Sequence, residues 1–518
     1  MIWKSMLVAG LVAVATGTAA ADERVDLIIA GGSVFDGAAG EGRLANVAVR
    51  GDRIVRIGDT SDLNAVRTID ASGLIVAPGF IDPHTHAGSD LGAQDRDRRA
   101  MLHQITQGVT TIVIGNDGDG PIEIRRRLEG YESAGVGVNV AGFVGFGSVR
   151  EAVVGEDDRA PSRSELDRMR SLVAQAMCEG ALGLSTGLYY APQSFAETDE
   201  VIALAREAGA RGGLYESHIR SEGAGNIDAL REALRIGREA DAPVHIAHIK
   251  ALGREASGRA EEMIALIEAE RAAGRRVTAD QYPWTASGTR VGNALIPRWT
   301  QDGGDEAMRR RLSDPRLRDR LHGEIASRIR GRGGAETLLI LTGHYRGLTL
   351  EQAAERAELA PEELARRIAA DGDARLASFN MSEAEIGAFM VLPWVVTSSD
   401  GTVGHPRRVG SFARKFQRYV REQNVISVGE FVHRGAGLTA DILGLAGRGY
   451  LREGYYADIA VFDAEAFAAR ADYVNPEELS TGMRFVVVNG VVALADGAPT
   501  EALAGEAIFK QPTEGTCG

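Results

Sequence analysis

Only two cysteines, Cys178 and Cys517, occur in the 518 residues. Two thiols cannot build a disulfide framework, so the fold has to rest on a buried core. The chain also lacks a basic balance, with 58 Lys and Arg against 72 Asp and Glu, a formal charge of −14. That sign disfavours nucleic acid or an anionic membrane surface as a general partner. Beyond residue 21 no apolar run approaches the ~18 residues of a membrane span. The 64 glycines show no period-three repeat, which excludes collagen, and neither internal repeats nor low-complexity tracts stand out. What is present, 44% hydrophobic and 25% charged residues, is the balance of a soluble globular protein. The length exceeds one ordinary domain and suits a large barrel with an accessory domain.

Residues 1–21 read as a signal peptide: Lys4 ahead of an apolar stretch from Met6 to Ala15, then Ala19-Ala20-Ala21 before Asp22. The pattern predicts cleavage and export to a periplasm or outside. No stable membrane insertion is expected after cleavage, because the apolar stretch is short for a span.

Residues 22–77 alternate in short, turn-linked strands, as in Val25-Asp26-Leu27-Ile28-Ile29 and Ala45-Asn46-Val47-Ala48-Val49. Segment 431–518 answers with Asp458-Ile459-Ala460-Val461-Phe462 and a strand pair turning at Asn489-Gly490. Both chain ends therefore predict one small β-sandwich domain. Residues 78–430 alternate apolar runs with Ala/Arg/Glu-rich helical stretches, the pattern of a parallel sheet. Eight strand candidates lie near 79–84, 110–116, 138–146, 181–186, 213–218, 243–249, 276–282 and 394–399. Eight is the number for a (β/α)8 TIM-like barrel, and the fold class is α/β. No Gly-rich dinucleotide turn follows the first strand, as a doubly wound sheet would show. Residues 286–392 form an insertion between strands 7 and 8 with amphipathic helical stretches at 305–329 and 349–371. These fit a solvated helical layer or a lid over the barrel mouth.

Barrel chemistry sits where strands end. Strand 1 ends in His84-Thr85-His86, and alternation puts both imidazoles on one face. Strand 2 ends in Asn116-Asp117-Gly118, strand 5 in Glu216-Ser217-His218, and strand 8 in Ser398-Ser399-Asp400-Gly401. Strand 6 carries His248 and Lys250 on one face, with His245 on the other. His84, His86, His218, His248, Asp117 and Asp400 converge if the barrel closes, a donor set that suits zinc. Asp117 also fits a plain turn residue, since Asn-Asp-Gly is turn chemistry. Asp117-Gly118-Asp119-Gly120 lacks the register and terminal Glu of a calcium loop. Cys178, in a helical stretch at 164–179, reads as a buried structural thiol. His103, His322 and His433 read as non-catalytic.

These segments resemble the amidohydrolase superfamily, and within it the D-aminoacylases, which deacylate N-acyl-D-amino acids. The carrying segments are PGFIDPHTH (78–86), GVTTIVIGNDG (108–118), GALGLSTGLYYAP (180–192), YESHIRSEG (215–223), HIAHIK (245–250), SSDG (398–401), HPR (405–407), ADIAVFD (457–463) and VVNG (487–490). The resemblance implies that His218 and His248 hold a tight zinc, and that His84 and His86 line a second, weaker position. Asp400 is implied as general base, a metal ligand, or both. The family's strand-2 cysteine is replaced here by Asp117. Strand 4 has no lysine, so the carbamylated-lysine bridge of other binuclear amidohydrolases is absent, as it is in the D-aminoacylase pattern.

The implied reaction is amide hydrolysis. A zinc ion lowers the pKa of water to about 7 and polarises the carbonyl, while a carboxylate such as Asp400 moves the proton. Lys250, Tyr282 and Arg407 are implied to bind the substrate α-carboxylate, with Tyr190 lining the acyl pocket. Arg290 and Arg298, just past strand 7, are either selectors of an acidic side chain or surface arginines. Selectivity for the D-isomer enters through the resemblance alone. Competing readings keep the amidohydrolase but change its substrate to a dipeptide with a C-terminal D-residue or a cyclic amide, or make the barrel a non-catalytic binding protein.

Overall fold

The structure is a computed structural model describing residues 23–253 and 258–517; the segment 1–21, expected from the sequence to be a signal peptide, lies outside them. Its centre is a barrel of parallel strands: Phe80–Asp82, Val109–Ile114, Asn139–Gly142 continued by Val144–Gly145, Gly183–Gly187, Leu214–His218, Val244–Ile246, Val277–Gln281 and Val395–Thr397. Neighbours in sequence pair in register, as in Gly183↔Leu214 and Tyr215↔Val244. The ring closes between first and last strands, where the Asp400 amide donates to the His84 carbonyl at 3.0 Å. All six residues of Val109–Ile114 are buried, as a strand covered on both faces requires. Strands 1, 6 and 8 are shorter than the sequence suggests, so His84 and His86 follow strand 1 rather than share a strand face. Their last residues leave the ladder to face the barrel mouth, and His248 and Asp400 turn to φ +33° and +47°.

Helices cover the ring. Arg163–Cys178 starts with a capping box, Ser162 accepting from the Glu165 amide while Glu165 accepts from the Ser162 amide. Its apolar stripe, Met169, Val173, Ala176 and Met177, faces the barrel core.

The two chain ends share one sheet. Strands of 23–78 and of 459–499 meet where Ile75–Pro78 pairs with Ile459–Phe462. The first strand, Glu23–Val34, shifts register between Ile29 and Gly32 and so passes from one part of the sheet to the other. A common core of Ile29, Val47, Ile54, Val461 and Val487 lies between the two parts, giving the small sandwich.

Segment 431–518 does not stay within that sandwich. Helical turns from Val428 to Leu443 pack on the barrel, with Phe431 edge-on to Phe80 at 5.1 Å. Residues 505–513 return to the end opposite the mouth, bonding at Val136, Val140, Gly180 and Arg211. There Cys517 forms a disulfide with Cys178, Cα–Cα 5.7 Å. Cys178 is thus half-buried and oxidised, not a buried free thiol. The pairing is invisible in sequence because 339 residues separate the two and only the returning tail brings them together.

The insertion is a unit with its own core. Strand Ala286–Arg290 pairs with Arg375–Phe379, which pairs with Leu338–Ile340. Helices Gly304–Ser313, Arg318–Gly331, Leu350–Arg356 and Pro361–Ala370 pack on this sheet around Leu295, Leu321, Ile325 and Leu364. The expected helix 305–329 is two helices, broken at Asp314-Pro315, where proline cannot continue the first.

Candidate active site and metal centre

The strand-end residues do meet. Asp117 Oδ1 stands 3.5 Å from His84 Nε2, 3.5 Å from His218 Nδ1 and 3.5 Å from His248 Nε2. Asp117 Oδ2 is 3.6 Å from His86 Nε2. A tetrahedral site with bonds of ~2.1 Å has donor-to-donor edges of about 3.4 Å. The spacing fits a divalent ion held by Asp117 with neighbouring imidazoles, and His84, Asp117 and His248 form one such mutually close group. A second observation agrees: both ring nitrogens of His84, both of His218, and Asp117 Oδ1 are buried without a hydrogen-bond partner among the described residues. Orphaned polar atoms of this kind cost free energy unless something pairs them. His84, His86 and Asp400 form an adjoining donor group, as do His218, Glu222 and His248.

Local backbone sets this aim. Asp117, His248 and Asp400 all have positive φ, at +57°, +33° and +47°. For residues with a Cβ this costs on the order of 1–3 kcal/mol each, offset here by surrounding bonds. Asp117 is pinned by Gln193 Nε2 donating to its carbonyl at 2.8 Å, and the next amide donates to Ser185 Oγ at 3.1 Å.

Behind the donors lies a buried carboxylate layer. Asp280 accepts from the His248 amide at 3.0 Å, bonds His245 Nε2 at 3.1 Å and lies 3.8 Å from His84 Nδ1. Glu216 sits 3.4 Å from the same His84 nitrogen, and burial pushes its carboxyl up to about 8. Asp82 accepts from the Ser399 amide at 3.0 Å and from the His84 amide at 3.3 Å, tying strands 1 and 8 together. Such outer carboxylates fix ring orientation and tautomer. Burial opposes ionisation of Asp117, but the imidazoles of His84 and His218 hold it well below the usual carboxylate range.

Asp400 is held at both oxygens: Oδ1 lies 3.1 Å from His86 Nε2 and Oδ2 lies 2.8 Å from Arg407 Nη1. Burial raises its pKa, and the Arg407 guanidinium together with the imidazoles of His248, His86 and His84 more than reverses that. Arg407, 1% exposed, is committed to Asp400 and to the Gly288 carbonyl at 3.3 Å, with its guanidinium 4.8 Å from the Tyr282 ring centre. Lys250 Nζ lies 2.5 Å from Glu222 Oε1 and 2.6 Å from His248 Nδ1. Tyr190 packs edge-on to His218 at 4.8 Å.

A cavity of about 1010 Å³ opens at this mouth, and His86, Asp117, Tyr190, His218, His248, Lys250, Tyr282, Asp400 and Arg407 all line it. Its outer wall is the insertion, through Ser287–Arg290, Arg332 and Arg375 among others. Two residues not singled out from the sequence belong here. Glu222 follows His218 by four positions and touches both His218 and His248, at 3.6 and 3.1 Å; that spacing inside YESHIRSEG was its signal. Arg375 lines the cavity without a carboxylate partner among the described residues, and no local pattern marks it. Arg290 lines the cavity too; Arg298 does not, and instead stacks on Tyr189 at 4.2 Å.

The sequence profile of the amidohydrolase family matches residues 67–289. The chain is 34% identical to the D-aminoacylase of Alcaligenes xylosoxydans xylosoxydans over 94% of its own length and 98% of that protein's. It is also 34% identical to the same organism's N-acyl-D-aspartate deacylase, covering 91% of this chain and 92% of the other. The N-acyl-D-glutamate deacylase of Bordetella bronchiseptica, solved with zinc and a phosphonate mimic of the tetrahedral intermediate, superposes with a TM-score of 0.80. That match is 30% identical and covers 94% of this chain and 100% of the other. The chain belongs to the amidohydrolases, in the D-aminoacylase family of N-acyl-D-amino-acid deacylases.

Proposed function

We propose that the protein hydrolyses the amide bond of N-acyl-D-amino acids with zinc at the strand-end site. The single observation that carries the metal is Asp117 Oδ1 standing 3.5 Å from three imidazole nitrogens. A divalent ion in such a site polarises a carbonyl and lowers the pKa of water to about 7. Asp400, ionised and braced by Arg407, takes the proton of the attacking water at Oδ1 and delivers it to the leaving amine nitrogen. The C–N bond breaks, the hydroxyl stays on the acyl carbon, and a carboxylic acid and a free D-amino acid leave. Arg407 acts through Asp400, so the substrate α-carboxylate is assigned to Lys250 and Tyr282 with Arg375, cation and hydroxyl donors that line the same cavity. Asp117, in place of the family's cysteine, makes the donors all nitrogen and oxygen, which still suits zinc and also admits manganese or cobalt.

The protein is read as exported to the periplasm or beyond. The three-part pattern of residues 1–21 supports this, and so does the Cys178–Cys517 pairing, which persists only outside a reducing cytosol.

The test pairs elemental analysis of protein purified without chelator with detection of amino acid released from N-acetyl-D- and N-acetyl-L-amino acids. One or more zinc per chain with D-selective release is the expected result. Metal without release from any N-acyl-D-amino acid overturns the substrate, and absence of both overturns the enzyme.

A further inference from the structure

His405, in the segment HPR (405–407), has no part in the chemistry so far, yet both of its ring nitrogens are engaged. It is fully buried and does not line the cavity. Its Nε2 lies 3.2 Å from the Ala286 carbonyl, which can only accept, and its Nδ1 accepts from the Arg407 amide at 3.2 Å. Only the neutral tautomer with its proton on Nε2 satisfies both partners. Burial and the Arg407 charge hold the His405 pKa well below the ordinary histidine value, which keeps that form in place at neutral pH.

His405 and Arg407 reach the same strand of the insertion. Arg407 Nη2 donates to the Gly288 carbonyl at 3.3 Å, two positions beyond Ala286 on Ala286–Arg290, an edge strand of the insertion's sheet. Gly288 lets both side chains lie this close: a Cβ there would stand 3.0 Å from His405 Cδ2 and 3.4 Å from Arg407 Cζ. Just before the strand, Trp284 Nε1 donates to Ser411 Oγ at 3.1 Å and Arg414 Nε donates to the Pro283 carbonyl at 2.7 Å. The chain leaving barrel strand 7 for the insertion is thus held at four points by residues that follow barrel strand 8. Of the four, the His405 and Arg407 bonds lead to the proton-moving group, because Arg407 also holds Asp400 Oδ2 at 2.8 Å. The same strand pairs Arg290 with Arg375, the cation assigned to the substrate α-carboxylate.

We propose that His405 is a positioning residue: by tying the Arg407 backbone to the insertion's opening strand, it sets Asp400 and Arg375 at the separation one substrate needs between its scissile amide and its α-carboxylate. This rests on the deacylase reading above and adds a residue to it. Asp400 and the Gly288 carbonyl hold the Arg407 guanidinium, while His405 holds the Arg407 backbone, so the side chain cannot swing and loosen both contacts. Reacting groups have to be held to within ~0.5 Å for full rate, so a loosened link is felt in turnover although His405 touches no substrate.

The test uses the full-length zinc-loaded enzyme and an N-acetyl-D-amino acid that the wild type turns over. His405→Phe fills the same space and offers neither bond, so kcat/KM should fall by about 10-fold or more, the worth of two neutral hydrogen bonds. His405→Gln, whose amide can still donate to the Ala286 carbonyl, should recover most of that loss. Because His405 acts through Arg407, adding His405→Phe to Arg407→Met should cost no more than about 2-fold beyond Arg407→Met alone. Independent packing defects would instead multiply. Zinc per chain should match the wild type in His405→Phe and His405→Gln, since His405 is not a donor. Wild-type kcat/KM in His405→Phe, losses that multiply in the double variant, or zinc lost from the single variants overturns the role. If His405→Phe does not fold, His405→Asn takes its place in the cycle, being too short to reach the Ala286 carbonyl. No turnover of any N-acetyl-D-amino acid by the wild type overturns the deacylase reading itself, and the role falls with it.

Discussion

Asp117 carries the largest burden of any residue here. One oxygen serves three imidazoles while its backbone is held at φ +57°. Asp117→Asn keeps the shape and removes the charge, so metal affinity should fall by 10-fold or more, read as zinc retained after dialysis against a graded chelator. Asp117→Cys should retain zinc under the same dialysis, since a thiolate also suits the ion. Arg407 supplies a pH test. It favours the ionised form of Asp400, so Arg407→Met should raise the Asp400 pKa. The acid limb of the kcat/KM profile should then move to higher pH; an unmoved limb would detach Asp400 from the proton transfer. At this scale the histidines were legible because each stands at or just past the end of a barrel strand, His218 closing Leu214–His218 and His84, His86 and His248 following Phe80–Asp82 and Val244–Ile246. Glu222 was legible only in part, since it reaches the site from a loop. Arg375 was not, because nothing near it in sequence tells which cavity its strand borders.

Among the elements, strand Val395–Thr397 and the helical segment Lys415–Glu422 are joined by an unusual buried lysine. Lys415 Nζ donates to Thr397 Oγ1 at 2.9 Å and has no carboxylate partner among the described residues. Burial and the Arg434 charge push its pKa down to about 7. An unfolded lysine titrates near 10.4. Between these values the unfolded chain binds a proton that the folded chain does not, so stability rises with pH across that window. Below about 7 both states are protonated and this contribution is flat. Urea titrations should show the rise in wild type, and Lys415→Met should flatten it and be more stable at neutral pH. The barrel strands were legible as short apolar runs because both faces are covered. The insertion's three strands were not, since Ala286–Arg290 is a polar-flanked segment made a strand only by its partner Arg375–Phe379.

Over the whole molecule, the chain ends bind the fold together. They share a sheet, and a buried network of Asn139, Asp458 and Asn489 joins that sheet to barrel strand 3. The tail then crosses the barrel floor to the Cys178–Cys517 bond. Cross-links closing long loops stabilise by restricting the unfolded chain, commonly by about 2–5 kcal/mol. The double variant Cys178→Ser with Cys517→Ser should lose about that much in urea unfolding. Its turnover should persist, because the bond lies at the end opposite the mouth. Loss of turnover in a fully folded double variant would show the tail acting on the site.

The barrel, the sandwich built from both ends, and the six His and Asp side chains that meet at the barrel mouth could all be read from the sequence. Each depends on local periodicity: two for strands, the end of a strand for a ligand, a turn for a hairpin. Tertiary structure alone decided the Cys178–Cys517 pairing, the commitment of Arg407 to Asp400, the wall supplied by the insertion, and the meeting of Arg298 and Arg332 at Tyr189. These join residues tens to hundreds of positions apart. No local preference encodes such a meeting; the packing of independent elements does.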